Sequence, residues 1–219
     1  MKRRIVQTND GSTSILIPSM DETYHSTHGA IQEAIHVFIK NGLERVHSKS
    51  INVFEVGFGT GLNALLALKY GDDTWTRINY STIEAFPVEM ELIDQLNYTT
   101  LIKDVDKSTF DKLHELPWGV WNKVTDCFQL HKIHAKLQAY SMPDVKMDIV
   151  FFDAFGPRAQ AEMWSPELLQ KMYEALKEGG SLVTYCAQGQ FKRNLKAIGF
   201  TVESVPGPPG KREMTVAIK

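Results

Sequence analysis

At 219 residues, with 43% hydrophobic and 23% charged side chains, the chain is long enough to bury one core without disulfide or metal support. A formal net charge of -2 excludes a polyanion partner held by bulk charge, so any nucleic acid must meet a local basic patch. The only two cysteines, Cys127 and Cys186, lack paired spacing and predict reduced thiols in a cytoplasmic protein, while no apolar run suits a signal peptide or a membrane span.

Ile5–Thr8 and Ser14–Ile17 flank Asn9-Asp10-Gly11, a turn suited to positive φ, and predict a small hairpin. After Tyr24–Gly29, Ala30–Lys40 sets Ile31, Ala34, Ile35 and Phe38 on one helical face, and Asn41-Gly42 stops it. Residues 1–50 therefore read as a hairpin-and-helix extension. Ile51–Lys69 follows: Ile51, Val53, Phe54 and Val56 form a strand, Gly57, Gly59 and Gly61 alternate, and a helix begins at Leu62. Glycines let a backbone approach a ligand closely, and a helix N-terminus offers free N–H donors, so this stretch is a nucleotide-cofactor device.

Ile78–Glu84 is the second strand, and Pro87 is placed to start a helix running to about Leu96. Residues 97–126 read as an irregular insertion with a short helix near Thr109–Glu115. Phe128–Ile133 and Met147–Phe152 are strands, the latter ending in Asp153; Ser165–Lys177 is a helix closed by Gly179-Gly180. Ser181–Tyr185, the helix Gly189–Ile198 and the strands Phe200–Val205 and Glu213–Ile218 complete the chain. Strands alternating with helices imply a parallel sheet covered on both faces, and the loop-joined final pair must be antiparallel. Residues 1–219 are thus expected to form one α/β domain, doubly wound, with an antiparallel last strand.

The glycines run G-x-G-x-G rather than the G-x-G-x-x-G that seats a dinucleotide pyrophosphate. Together with the terminal antiparallel hairpin, this resembles the class I methyltransferase (Rossmann-like) fold and favours S-adenosylmethionine over a nicotinamide. Glu84, at a strand's carboxyl end, suits hydrogen bonds from ribose hydroxyls in either cofactor class, or a place as a helix-entry acid before Pro87. Glu55, inside the glycine strand, needs a partner to be buried. It either bonds toward the cofactor's methionine part and the glycine loop or partners the N-terminal segment.

An apolar strand delivers Asp153 to the sheet edge where ligands bind in open α/β folds. Methyl transfer from a sulfonium is a direct displacement that mainly requires alignment, and a carboxylate can orient an amine nucleophile and take its proton. Asp153 suits that role, since the next helix start, Ser165, is too far for it to cap.

VGFGTGLN, IEAFP, FFDAFGPRAQAEMWSPEL, GGSLVTYCAQGQFKRNLKAIGF and GKREM, in that order from Val53 to Met214, resemble the methyltransferase domain of the MnmC family. The resemblance implies transfer of a methyl group from S-adenosylmethionine to 5-aminomethyl-(2-thio)uridine at the tRNA wobble position. The residues read as cofactor-binding are Gly57, Gly59, Gly61, Glu84 and Asp153, with Glu55 on the first of its two readings, and the resemblance supplies the amine nucleophile that catalytic Asp153 suits. It also implies a single-domain form without the family's FAD-dependent oxidase, with a separate oxidase as a candidate upstream partner. Where the family has Gly-Asp near the adenine, this chain reads Ala135-Lys136; the Tyr24–Gly29 stretch, with His25 and His28, matches the family loosely.

Arg158, a helix bearing Lys192, Arg193 and Lys196, and Lys211-Arg212 are candidates for a tRNA-facing rim. Phe155, Trp164, Trp118 and Trp121 are candidates for stacking on a base, the last two better read as packing within the insertion. His25/His28 and His131/His134 lack an acid or cysteine to complete a ligand set, so no metal is expected. Two alternatives stay open: methylation of another amine, and a catalytically silent tRNA-binding relative.

Overall fold

The computed structural model describes residues 2–219; Met1 lies outside them. Its centre is β4 (Ser50–Val56), whose Ile51, Val53, Phe54 and Val56 are all buried. Each such side chain contributes about 1.5–3 kcal/mol by leaving water. β4 lies between β5 (Arg77–Glu84) and β8 (Met147–Phe152), parallel to both. β7 (Phe128–His134) extends the parallel set beyond β5, and β9 (Leu176–Thr184) beyond β8. β11 (Glu213–Ile218) inserts antiparallel between β9 and β10 (Thr201–Pro206). The doubly wound sheet with its antiparallel last strand is therefore as expected.

Two apolar clusters cover the sheet's faces. One joins Phe38, Leu65, Tyr80, Phe128 and Phe151 under α1 (Ala30–Ala34), α2 (Leu62–Thr74) and α5 (Lys107–Glu115). The other joins Phe54, Phe152, Leu169, Met172, Leu195 and Phe200 under α6 (Pro166–Ala175) and α7 (Gly189–Ile198). α2 is the inner helix, with Leu62 through Leu68 buried without interruption.

The N-terminal hairpin forms from β1 (Arg4–Gln7) and β2 (Thr13–Ile17) and gains a third strand, β3 (Glu22–Thr23). Past α1 the helix widens over Ile35–Lys40, and Asn41 ends it by donating both its backbone and side-chain N–H to His36 O at 3.2 and 2.8 Å.

Three sequence expectations change. The helix foreseen from Pro87 to Leu96 shrinks to α3 (Met90–Ile93). Arg3 takes the carbonyls of Phe86 and Pro87 at 2.6 and 3.1 Å, and Phe86 N donates to Glu84, so this segment is held extended. Gly179-Gly180 does not close α6; the helix ends at Ala175 and the glycines sit in an irregular stretch of β9 that exchanges backbone bonds with Lys219. Residues 97–126 are more regular than foreseen: α4 (Tyr98–Leu101) and α5 are followed by β6 (Trp121–Lys123), which pairs antiparallel with β7 at the sheet edge.

Candidate active site

β4, β5, β7 and β8 all end on one side of the sheet, and their carboxyl ends open into a cavity of about 720 Å³, within the usual range for small-molecule sites. Its floor is the glycine loop. Gly57 and Gly59 have φ of 93° and 51°, and a Cβ on Gly57 would meet the Asp153 carbonyl oxygen at 2.7 Å. A Cβ on Gly59 would press on the Tyr24 ring at 3.0 Å. These positions keep open the cradle that a ligand would share, which only glycine permits.

Glu84 holds that loop. Its Oε2 accepts from Gly59 N at 3.1 Å and its Oε1 from Phe86 N at 2.8 Å. Each carboxylate oxygen retains a further lone pair for a ribose hydroxyl. The helix-entry alternative for Glu84 fails, since Glu89 precedes the helix there. Ala135, Lys136, Leu137 and Gln138 form the wall beyond β7, so the stretch that departs from the family's Gly-Asp does border the cavity.

The opposite wall carries Asp153, which is half-buried, and Asn63 Nδ2 donates to its Oδ2 at 2.8 Å. Burial, reinforced by the nearby Glu33 carboxylate, pushes the Asp153 carboxyl up to about 7. Phe155 lies in the same wall, its ring meeting Tyr24 edge-on at 5.1 Å.

A second cavity of about 670 Å³ adjoins the first, and the two share Glu22, Tyr185 and Lys211. Arg158 and Arg212, both exposed, line the outer one with Lys211. Lys211 turns inward: its ammonium pairs with the buried Glu33 and sits 4.0 Å over the Tyr185 ring. Tyr185 is fixed by donating its hydroxyl to Ala154 O at 2.8 Å.

Not every expected residue joins this constellation. Glu55 does not line the cavity; its carboxyl is wholly buried in β4, where Thr82 donates to it at 2.7 Å. Gly61 caps α2 and packs under His114, where a Cβ would meet Nε2 at 2.7 Å. Arg193 lines neither cavity, its guanidinium folding back onto Gln190 at 2.7 Å. Lys192 is taken by Glu213 and Ser204, both at 2.7 Å. Trp164 is buried among Phe152 and Phe191 and donates to Phe155 O at 2.8 Å, so it is no stacking surface. Trp118 packs on Phe58 and His134, whereas Trp121 is half exposed on the edge strand with His131 stacked at 5.1 Å.

Other residues escaped the sequence reading. Arg3 straps the N-terminal arm to the loop after β5, and Tyr24, His25, Ser26 and Thr27 close the cavity from above. Burial pushes His25 down to about 4, so it stands neutral against Thr60 Oγ1 at 2.7 Å. Asn63 and Tyr185 follow the ends of β4 and β9 and could have been found from the sheet-edge rule; Glu33, mid-helix, carried no signal. Among the described residues no group of three or more His, Cys, Asp or Glu is placed to hold a metal ion, and no helix is long and apolar enough to cross a membrane.

A family model described as S-adenosyl-L-methionine-dependent methyltransferase matches residues 125–219. The tRNA 5-methylaminomethyl-2-thiouridine biosynthesis bifunctional protein MnmC of Cupriavidus necator is 30% identical over 214 residues, 91% of this chain and 32% of that protein. Its counterpart in Leptospira interrogans is 30% identical over 215 residues, 90% of this chain and 32% of that protein. The chain thus spans about a third of the length of the curated relatives it matches. Among solved structures, MNMC2 from Aquifex aeolicus superposes with a TM-score of 0.80 at 26% identity, covering 99% of this chain and 69% of that one. Spermidine synthase from Thermotoga maritima, at 16% identity and a TM-score of 0.55 over 98% of this chain and 71% of that one, shares the fold. The glycine cradle, the Glu84 clamp and these likenesses agree: the chain has the fold of the S-adenosyl-L-methionine-dependent methyltransferases and is similar along nearly its whole length to MnmC proteins.

Proposed function

We propose that this domain transfers a methyl group from S-adenosylmethionine to the amine of 5-aminomethyl-(2-thio)uridine at the tRNA wobble position. The observation that carries the reading is the shared wall of the two cavities. An outer cleft bordered by Arg158 and Arg212 opens, past Tyr185 and Lys211, into the inner cavity that holds Asp153. A basic outer cleft suits a polynucleotide backbone, and a deep acidic inner wall suits an amine carried on one extruded base. The relatives' printed name, which concerns biosynthesis of a methylaminomethyl-thiouridine in tRNA, supports the same acceptor.

Gly57, Gly59 and Glu84 would hold the donor, with Ala135, Lys136 and Leu137 at its far wall. When bound, S-adenosylmethionine supplies an electrophilic methyl on a sulfonium sulfur. Asp153 orients the amine and accepts the proton that nitrogen sheds as the new carbon–nitrogen bond forms. Its raised proton affinity, near neutrality, fits that exchange, because a base works best when its pKa lies near the operating pH. Tyr185 and Phe155 offer apolar faces for the base, Lys211 is held at the inner wall by Glu33, and Arg158 and Arg212 steer the phosphates. Arg193 is left out of this rim.

We read residues 1–219 as one functional unit in which residues 1–50 roof the donor cavity. An FAD-dependent oxidase is assigned the upstream step that supplies the amine, and the setting is the cytoplasm, where tRNA is processed. The test is incubation of the purified protein with S-adenosylmethionine and a tRNA bearing 5-aminomethyl-2-thiouridine, followed by nucleoside mass spectrometry. The methylaminomethyl nucleoside should accumulate. Donor uptake by calorimetry without any methylated nucleoside would sink the acceptor assignment.

A further inference from the structure

Beneath Asp153 three buried oxygen atoms have no hydrogen-bond partner: Glu55 Oε1, Asn63 Oδ1 and Tyr80 Oη. They belong to one nest, since the Asn63 amide and the Tyr80 hydroxyl both adjoin the Glu55 carboxyl. Two bonds in this nest are already made. Thr82 Oγ1 donates to Glu55 Oε2 at 2.7 Å, and Asn63 Nδ2 donates to Asp153 Oδ2 at 2.8 Å. Glu55 is wholly buried and Asn63 is 3% exposed, so neither can turn to water.

Donors and acceptors decide the protonation. An ionised Glu55 only accepts, and Asn63 Oδ1 would then face a carboxylate with no hydrogen between them. A proton on Glu55 Oε1 supplies the missing donor: Oε1–H donates to Asn63 Oδ1. One proton thus completes the Glu55–Asn63 pair, two atoms that would each otherwise cost about 1–3 kcal/mol unpaired; the Tyr80 hydroxyl is a donor in either state and does not decide it.

We propose that Glu55 is a positioning residue that stays protonated, locks the Asn63 amide through its oxygen, and so keeps the Asn63 N–H aimed at the Asp153 carboxylate. The opposite arrangement shows what this orientation decides. A reversed amide would donate to an ionised Glu55 and accept from a protonated Asp153, which could then take no proton from an amine. The titratable groups facing Glu55 are Asp153, from the end of β8, and Tyr80, from β5; no cation faces it. Burial raises the Glu55 carboxyl to about 8, in agreement with a proton resting on it at neutral pH.

The catalytic consequence rests on the role given to Asp153 above, but the proton itself is read without any acceptor. Infrared difference spectroscopy of the Asp153→Asn protein alone at neutral pH, where the Asp153 carboxyl makes no contribution, should show a carboxylic-acid carbonyl band that adding Glu55→Gln removes. No band in Asp153→Asn, or a band that survives the added Glu55→Gln, overturns the inference. In turnover, Glu55→Leu should lower kcat by up to about a hundredfold while KM for the donor stays put, and Glu55→Gln, neutral and able to donate, should recover most of that loss. Equal losses in both variants, or a loss confined to donor KM, overturn the positioning role. Should Glu55→Leu fail to fold, the infrared comparison still decides through Glu55→Gln. A wrong acceptor assignment would silence turnover in every variant yet leave the infrared pattern intact.

Discussion

The two ends of the donor cavity are built on opposite electrostatic terms. At the glycine loop, both oxygens of Glu84 accept from backbone N–H groups, and among the described residues no lysine or arginine forms an ion pair with it. At the reacting end, Asp153, Glu33 and Lys211 crowd together under partial burial, and Asp153 is left with a proton affinity far above an ordinary carboxyl. The donor end is a finished mould. The acceptor end is held out of balance, which is the condition for moving a proton at neutral pH. Mutations at the two ends should therefore fail in different currencies: affinity at the first, turnover at the second.

The largest expected effect is at Asp153. Asp153→Asn should cut kcat by about 10²–10⁴-fold, the span of a lost general base, with donor affinity near normal by calorimetry. In the wild type, kcat should rise with pH until Asp153 is ionised, near 7, and level off above. The same group sets a stability signature. Its folded pKa is raised above the ordinary 3.8, so the native state holds the proton more tightly and loses stability as pH climbs from about 4 to about 7. Asp153→Asn should remove its share of that loss in denaturant titrations and leave the share set by Glu55, whose carboxyl burial holds up at about 8. A variant that kept full turnover would erase the contrast between the two ends.

Glu84 tests the other end with a smaller effect. Glu84→Ala frees the N–H groups of Gly59 and Phe86 and removes the acceptor for the ribose, so donor Kd should rise about tenfold to a hundredfold, the loss of one or two charge-assisted hydrogen bonds. At saturating donor, kcat should stay within a few-fold of wild type. A large kcat loss with unchanged Kd would mean that the loop sets the methyl's position rather than its residence.

The same contrast explains what could be read from residues alone. The strand ends, the glycine loop, Glu84 and Asp153 were legible because period-two apolar runs and their terminal acids are local signals, and the sheet edge collects them. The acceptor end depends on contacts with no local trace. Glu33 and Lys211 are 178 residues apart, and Arg3 reaches Pro87 across 84. Glu55 shows a subtler failure. Its need for a partner was readable, but alternation along β4 turned it into the buried layer it shares with Tyr80, behind Asn63, rather than into the cavity. Lys211 and Arg212 looked like a matched basic pair; in the turn before β11 Lys211 points inward to Glu33, and only Arg212 is exposed.

That last distinction yields the smallest and sharpest prediction, on the outer cleft. Arg158 and Arg212 line it and are exposed, whereas Arg193, equally exposed, points elsewhere and bonds to Gln190. If phosphates cross the cleft, each arginine that meets one releases about one counterion, so log Kobs falls against log salt with a slope lowered by about 0.7–0.9 per contact removed. Arg158→Glu and Arg212→Glu should each weaken tRNA binding and flatten that slope by about one, leaving donor affinity alone. Arg193→Glu, with the same change in net charge, should leave the slope unchanged. Lys211 differs again: its ammonium is already engaged by Glu33 and the Tyr185 ring, so Lys211→Met should disturb acceptor KM more than the salt slope. Equal flattening by all three arginine reversals would mean that tRNA senses only the total charge of this face, and the cleft would lose its claim to be the track along which the base approaches Asp153.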